Sequence, residues 1–356
     1  MKNNKILDKS LRKKIDSILE EVYKICELEN KPSVFTIANT KKYNDNQMYF
    51  PPIRHSYYGI AGNVVVYTVE QAYQVASYLN GKVDYILVDS EKKILKSEYG
   101  KNDVGNIERA VFEVVDKSKI FSFKANDLTV NAVDCFISQY NKPLSGKNVA
   151  IIGAGNIGSK LALSIVERGV NVNIFRRNQK SCKKITEALN IIKTGELLAK
   201  VTSKKSAQDA CRNADIVIGC TPGVAAIDKG CIKAMKKNSL VIDVGKGSVD
   251  SSSIEYAISL GIKIIRADIR SGFEGAMSTI FSTMNLMDNL MGSRKIDDVT
   301  IVSGGIMGKK GEVIVDNYKN PRRIVGIANG HGDIKRKLEK KDEKNITFIK
   351  KKFLIK

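Results

Sequence analysis

The feature that most constrains this chain is a glycine pattern in a particular setting. Gly153-Ala154-Gly155-Asn156-Ile157-Gly158 follows the apolar run NVAII (148–152) and opens the amphipathic run NIGSKLALSIVERG (156–169). A strand that stops at G-x-G-x-x-G and restarts as a helix is a dinucleotide-binding turn of a parallel α/β sheet. Gly153 permits the tight turn, Gly155 lets the backbone approach a pyrophosphate, and Gly158 lets helix and strand pack closely. The helix start, through Asn156 and Ile157, offers unpaired N–H groups to the phosphates. The competing reading is a glycine turn in an α/β domain that has lost its cofactor.

The second strand, NVNIF (171–175), ends Phe175-Arg176-Arg177-Asn178. A carboxylate there would accept hydrogen bonds from a ribose 2′-OH and indicate NAD. Here there is no acid, and two guanidiniums offer planar forks that suit a phosphate. Arg176, Arg177 and Asn178 therefore predict NADP, with NAD as the alternative. A solvated charge run is the bland reading. Cys220-Thr221-Pro222-Gly223 ends the buried run DIVIGC, and Val244-Gly245 ends SLVIDV. Ligands of open α/β sheets bind just beyond the carboxyl ends of strands. Cys220, Thr221, Pro222, Val244 and Gly245 are thus expected along the nicotinamide half.

Upstream, residues 11–27 place Leu11, Ile15, Ile18, Leu19, Val22 and Ile25 on one helical face. Residues 40–60, with Pro51-Pro52, read as a long loop. Strands at 63–68, 84–89 and 119–125 then alternate with helices at 69–81, 107–116 and 128–140, the last with Asp127 as its N-cap. This pattern predicts an N-terminal α/β substrate domain (1–141). The Pro/Gly linker NKPLSGK begins at 141, and a doubly wound parallel sheet follows (142–334). Strands are expected at 262–267, 299–303, 312–316 and 323–328, and a Met-rich helix at 274–292. Residues 335–356 carry ten basic and three acidic side chains and read as a poorly ordered tail.

The runs LSGKNVAIIGAGNIGSKLAL (144–163), ADIVIGCTPG (214–223) and IKAMKKNSLVIDVG (232–245) resemble the Rossmann domain of the amino-acid-dehydrogenase-like superfamily. That group includes shikimate dehydrogenases and methylene-tetrahydrofolate dehydrogenase/cyclohydrolases. The last two runs also resemble the cofactor domain of adenosylhomocysteine hydrolases. The likeness covers about 100 residues and identifies a domain type rather than a substrate. It extends upstream to Phe123-Lys124-Ala125-Asn126-Asp127-Leu128, which stands where shikimate dehydrogenases carry an Asn-Thr-Asp-like turn. By that analogy Asn126 and Asp127 face the substrate. Neither the family's lysine motif nor the catalytic arrangement of the folate enzymes is recognised here, so the resemblance implies neither specific activity.

Hydride transfer at a C–OH or C–NH centre needs an acid/base within hydrogen-bond reach. Lys124 and Asp127, three residues apart, are the candidate pair; a surface ion pair is the alternative. Arg54 and Tyr57-Tyr58, beside His55, are candidates to bind a substrate carboxylate. In the cluster Arg266–Glu274, Asp268 and Arg270 are candidates to position nicotinamide or substrate.

The net charge of +21 raises nucleic acid as a partner. The excess is almost all lysine and is spread along the chain, which favours general residue bias. No nucleic-acid or membrane partner is expected, and a homodimer is the default oligomer. The N-terminus lacks the apolar core of a secretory signal and no run of about 18 apolar residues occurs, so the reading is cytoplasmic. The six cysteines form no C-x-x-C pair and are expected reduced, and with two histidines no metal site is expected. The leading expectation is an oxidoreductase acting on a small polar metabolite between two α/β domains. The alternatives are a non-redox dinucleotide sensor and an adenosylhomocysteine-hydrolase-like enzyme using bound NAD.

Overall fold

A computed structural model describes residues 7–40, 47–93, 106–140 and 142–355. Residues 41–46 of the expected loop, Asn141 of the expected linker and Lys356 of the expected tail lie outside the described residues. The chain divides into two compact units, Met1–Ala276 and Met277–Lys356.

The first unit opens with helix α1 (Lys9–Glu29), capped by Asp8, whose Oδ1 accepts from Ser10 N at 2.9 Å. Strands β1 (Ser33–Asn39), β2 (Arg54–Ser56) and β3 (Gly59–Val66) follow, then helix α2 (Val69–Leu79). Strand β4 (Tyr85–Asp89), helix α3 (Ile107–Phe112) and strand β5 (Lys119–Phe123) complete this half. The sheet order is β2-β3-β1-β4-β5, parallel except for the β2–β3 hairpin. Residues 33–39 form a central strand that no sequence signal announces. Its SVFTIAN run is buried along nearly its whole length, so it shows none of the two-residue alternation that betrays a half-buried strand.

Helix α4 (Ala125–Tyr140) starts two residues earlier than its nominal cap at Asp127, which instead lies in its first turn. Its apolar residues Val130, Val133 and Ile137 join the core of the next sheet, against Val149, Ile151 and Leu161. That sheet is built from β6 (Asn148–Ile152), β7 (Asn171–Phe175), β8 (Val201–Ser203), β9 (Ile216–Gly219), β10 (Leu240–Asp243) and β11 (Lys263–Arg266). Between them run α5 (Asn156–Val166), α6 (Gln179–Ile192), α7 (Ala207–Cys211), α8 (Lys229–Ala234) and α9 (Ser251–Ser259). The order β11-β10-β9-β6-β7-β8 is wholly parallel. The chain leaves β6 toward β7 and returns to β9 on β6's other side. This reversal opens a crevice at the carboxyl ends of β6 and β9. Two apolar layers enclose the sheet, one around Val149 and Ile151, the other around Ala150 and Ile152.

Helix α10 (Arg270–Asn285) runs across the division between the units and continues into a π-helical turn at Leu286–Leu290. The second unit holds strands β12 (Gly292–Ile296), β13 (Val299–Ser303), β14 (Val313–Val315) and β15 (Ile324–Ile327) in sequential order. Helix α11 (Lys340–Phe353) closes it. The expected poorly ordered tail is therefore corrected. Glu339 and Asp342 form a capping box, and Ile349 is fully buried with Ile301, Val313 and Ile327. The lysines around it are the solvent face of an amphipathic helix. Among the described residues, no helix is long and apolar enough to cross a membrane.

Candidate cofactor and substrate site

The glycine turn does what its spacing requires. Gly153 has φ +107°, and a Cβ there would lie 2.8 Å from the Cys220 carbonyl carbon, so the turn and the β9 loop touch backbone to backbone. A Cβ on Gly158 would overlap Gly153 O, which fixes how closely α5 meets β6. Gly155 differs from both. It caps α5 with no side chain, and nothing lies within 4 Å of where its Cβ would stand. Open space therefore faces the first amides of α5, which have no intrahelical acceptor.

A cavity of about 350 Å³ adjoins this space. It is lined by Gly153, Ala154, Gly155, Phe175, Arg176, Arg177, Asn178, Cys220, Thr221 and Pro222, together with Val224 and Ala226. Eight of the candidate cofactor residues thus meet in one place, drawn from three strand ends. Arg176 leans onto the turn, its Nη1 donating to Ala154 O at 3.1 Å. The Asn178 side-chain oxygen is taken up in capping α6, accepting from Ser181 N at 2.9 Å. Val244 and Gly245 are not in the cavity wall. A Cβ on Gly245 would overlap Thr221 O, so this loop backs the Thr221 loop. Burial pushes the Cys220 thiol up to about 12, with the Asp243 charge adding to it, which favours the protonated thiol. Burial pulls the Asp243 pKa up, but hydrogen bonds from Gly247 and Ser248 and the Arg266 charge together hold it below its ordinary value.

Asn156 faces the other way and accepts from Asn126 Nδ2 at 3.1 Å. The expected Lys124–Asp127 pair is corrected here. Lys124 is exposed. The cation that pairs with Asp127 is Lys160 of α5, with Glu91 at 3.6 Å from the same ammonium. Burial lowers the Lys160 pKa, but Asp127 and Glu91 together carry it above the ordinary lysine value. The three-residue spacing at the start of α4 does not join 124 to 127, because Asp127 turns toward the neighbouring helix.

Beside this pair lies a second lysine that the sequence marks with no motif. Lys93 Nζ lies 2.7 Å from Asp89 Oδ2 and 3.0 Å from Glu91 Oε2. The Asp89 side chain has no exposed surface, and it also accepts from Asn39 Nδ2 at 3.3 Å and Ala125 N at 3.2 Å. Asn126 N donates to Glu91 Oε2 at 2.8 Å. The carboxyl ends of β1, β4 and β5 therefore deliver Asn39, Asp89, Glu91, Lys93 and Asn126 to the start of α5. Among the other candidates, His55 pairs with Glu29 at 2.9 Å, and the Tyr57 amide donates to Glu274. Asp268 pairs with Arg270 at 2.5 Å.

Residues 148–285 match the family profile of the NAD binding domain of 6-phosphogluconate dehydrogenase. These residues form an NAD-binding Rossmann domain. A glycerol-3-phosphate dehydrogenase [NAD(P)+] from Clostridium botulinum is 27% identical over 108 residues, 28% of this chain and 32% of that protein. The bifunctional protein FolD from Lactobacillus helveticus is 24% identical over 139 residues, 39% of this chain and 49% of that one. The chain thus spans about a third to a half of the length of these curated relatives. A dipicolinate synthase from Bacillus halodurans is 13% identical, with 71% of this chain and 98% of that chain covered at a TM-score of 0.36. A chorismate mutase/shikimate 5-dehydrogenase fusion from Clostridium acetobutylicum is 14% identical, with coverages of 71% and 92% and a TM-score of 0.40.

Proposed function

We infer that the protein is an NAD(P)-dependent oxidoreductase, favouring NADP, that moves a hydride to or from a small polar metabolite. The observation that carries this is the open position over Gly155 beside a cavity walled by two arginines. The amides of Asn156, Ile157 and Gly158 would take the pyrophosphate, and Arg176 and Arg177 the 2′-phosphate. The loops at 220–222 and 244–245 would flank the nicotinamide half. The bound cofactor supplies the hydride; the chain supplies position and the proton.

Lys93 is the group we assign to the proton. Its ammonium is held by Asp89 and Glu91 (2.7 and 3.0 Å) and sits at the strand ends that face α5. It can donate to an oxygen or nitrogen that gains charge as hydride arrives, and take the proton back in the reverse direction. Asp89 has no exposed surface and anchors that ammonium in one place. Asn39, buried and engaged with Asp89, the Glu91 carbonyl and the Lys93 amide, braces this cluster, and Asn126 links it to Asn156 of α5. Asp127, committed to Lys160, is a positioning residue that ties α4 to the start of α5.

Thermal unfolding with NADPH, with NADH and with neither tests the cofactor half. A ligand at 100 times its Kd adds about 2.7 kcal/mol. The expected result is a larger shift with NADPH. A larger shift with NADH overturns the NADP preference, and no shift in cofactor-free protein overturns the oxidoreductase reading.

A further inference from the structure

Arg54 is a cation in an unusual position. It lies on β2 opposite Ala61 and is only partly exposed. Its Nη1 donates to Asn63 Oδ1 at 3.0 Å, and its guanidinium carbon is 5.5 Å from the Phe273 ring centre. Both partners are neutral. Asn63 is 1% exposed and already engaged: its Oδ1 accepts from Thr36 Oγ1 at 2.6 Å, and its Nδ2 donates to Pro52 O and Ala61 O. The guanidinium is therefore held rigidly by a buried amide. Among the described residues Arg54 makes no ion pair. The carboxylate felt nearby, Asp268, is bound by Arg270 through Nε at 2.7 Å and the backbone N at 2.9 Å. Burial lowers the Arg54 pKa, the expected response of a cation without a fixed counter-charge.

A second cation lies beside Tyr49. Lys246, in the loop after β10, lies with its Nζ 5.7 Å from the Tyr49 ring centre. Its backbone has φ +54°, a left-handed conformation uncommon for lysine. Tyr49 is fixed by hydrogen bonds with Val65 (3.2 and 2.8 Å) to β3, the strand that also carries Asn63, the partner of Arg54. A partly buried cation with neutral partners is costly unless an anion completes it.

We propose that Arg54, with Lys246 across Tyr49, binds a carboxylate group of the substrate, which makes the metabolite an organic acid. Arg54 supplies a bidentate fork, and Lys246 supplies a point charge from the loop that backs the nicotinamide half. This rests on the reading of that loop as part of the cofactor edge.

The test uses oxamate, a small carboxylate, and oxamide, its neutral counterpart. Thermal unfolding of the full chain is followed with each, with and without NADPH. Oxamate is expected to stabilise the wild type and oxamide is not. Arg54→Gln is expected to weaken oxamate about 10–100-fold, the loss of a charge-assisted hydrogen-bond pair. Arg54→Lys and Lys246→Met are expected to fall between wild type and Arg54→Gln. Each variant must keep the NADPH-induced shift of the wild type, which checks folding and reads the cofactor reading separately. The proposal is overturned if oxamate acts equally on wild type and on folded Arg54→Gln or Arg54→Lys. It is also overturned if oxamate gives no stabilisation, or if oxamide matches it. Loss of the NADPH shift in the wild type would count against the cofactor reading instead.

Discussion

The two sheets of Met1–Ala276 are both mainly parallel α/β layers, but they present chemistry in different ways. At the carboxyl edge of β6 the working surface is backbone: three glycines and the first amides of a helix, with side chains at Gly153 and Gly158 excluded by neighbouring backbone atoms. At the carboxyl edge of β1, β4 and β5 it is side chain: Asn39, Asp89, Glu91, Lys93 and Asn126, linked by hydrogen bonds between 2.7 and 3.3 Å. A backbone site recognises what all dinucleotides share. A side-chain site carries the part that distinguishes one substrate from another.

The sharpest way to break this contrast is to add one side chain to the backbone site. Gly155→Val is expected to abolish dinucleotide binding while leaving the unfolding temperature of the unliganded protein close to wild type, because its Cβ meets no protein atom within 4 Å. Calorimetric titration with NADPH checks this; retained affinity would move the phosphates elsewhere. On the side-chain edge, Lys93→Met is expected to lower turnover about 10²–10⁴-fold with NADPH affinity unchanged, the span of acid–base catalysis. Wild-type turnover would return the proton to another group.

Arg176 and Arg177 sit between the two modes, as side chains added to a backbone site. Replacing both with Ala is expected to weaken NADPH about 10–100-fold and NADH little. Equal losses would mean that these arginines serve the shared part of the cofactor. The smallest effect is on stability in acid. Asp243 in the first unit and Asp342 in the second both titrate below the ordinary carboxylate value, despite the opposing pull of burial. Their contribution is complete above about pH 3.9 and is lost as pH falls through their lowered values. Asp243→Asn should flatten the acid limb of the melting profile for the first unit alone.

The same contrast explains what could be read from the sequence. The glycine turn is contiguous, so Gly153, Gly155 and Gly158 announce it locally, and Arg176 follows one strand later. The strand ends at Cys220 and Val244 are legible because buried runs stop at Gly-rich turns. The cluster around Lys93 has no such signature. Asn39, Asp89 and Asn126 come from three separate strand ends, and Lys93 follows a strand without any motif. Lys124 is the nearest lysine in sequence to Asp127, but proximity along the chain says nothing about which way a side chain leaves a helix. The last helix is obscured for another reason: lysines dominate its composition, while Ile346, Phe348, Ile349 and Phe353 carry its period. Strand β1 hides because burial on both faces removes alternation.

Helix α4 joins the last strand of the first sheet to the core of the second. It begins directly after β5, pairs Asp127 with Lys160 and Asp134 with Arg168, and lays Val130, Val133 and Ile137 into the Rossmann core. Its 16 residues make a shaft about 24 Å long. A shaft of this kind transmits phase. One residue inserted before Ala125 would rotate everything after it by about 100°, carrying Asp127 off Lys160 and the apolar stripe off the sheet together. One residue inserted between Pro143 and Gly146 would turn nothing, because the shaft has already been keyed into place. The alignment of the two sheets is thus expected to be more sensitive to an insertion at the junction after β5 than to one in the Pro/Gly segment that follows α4.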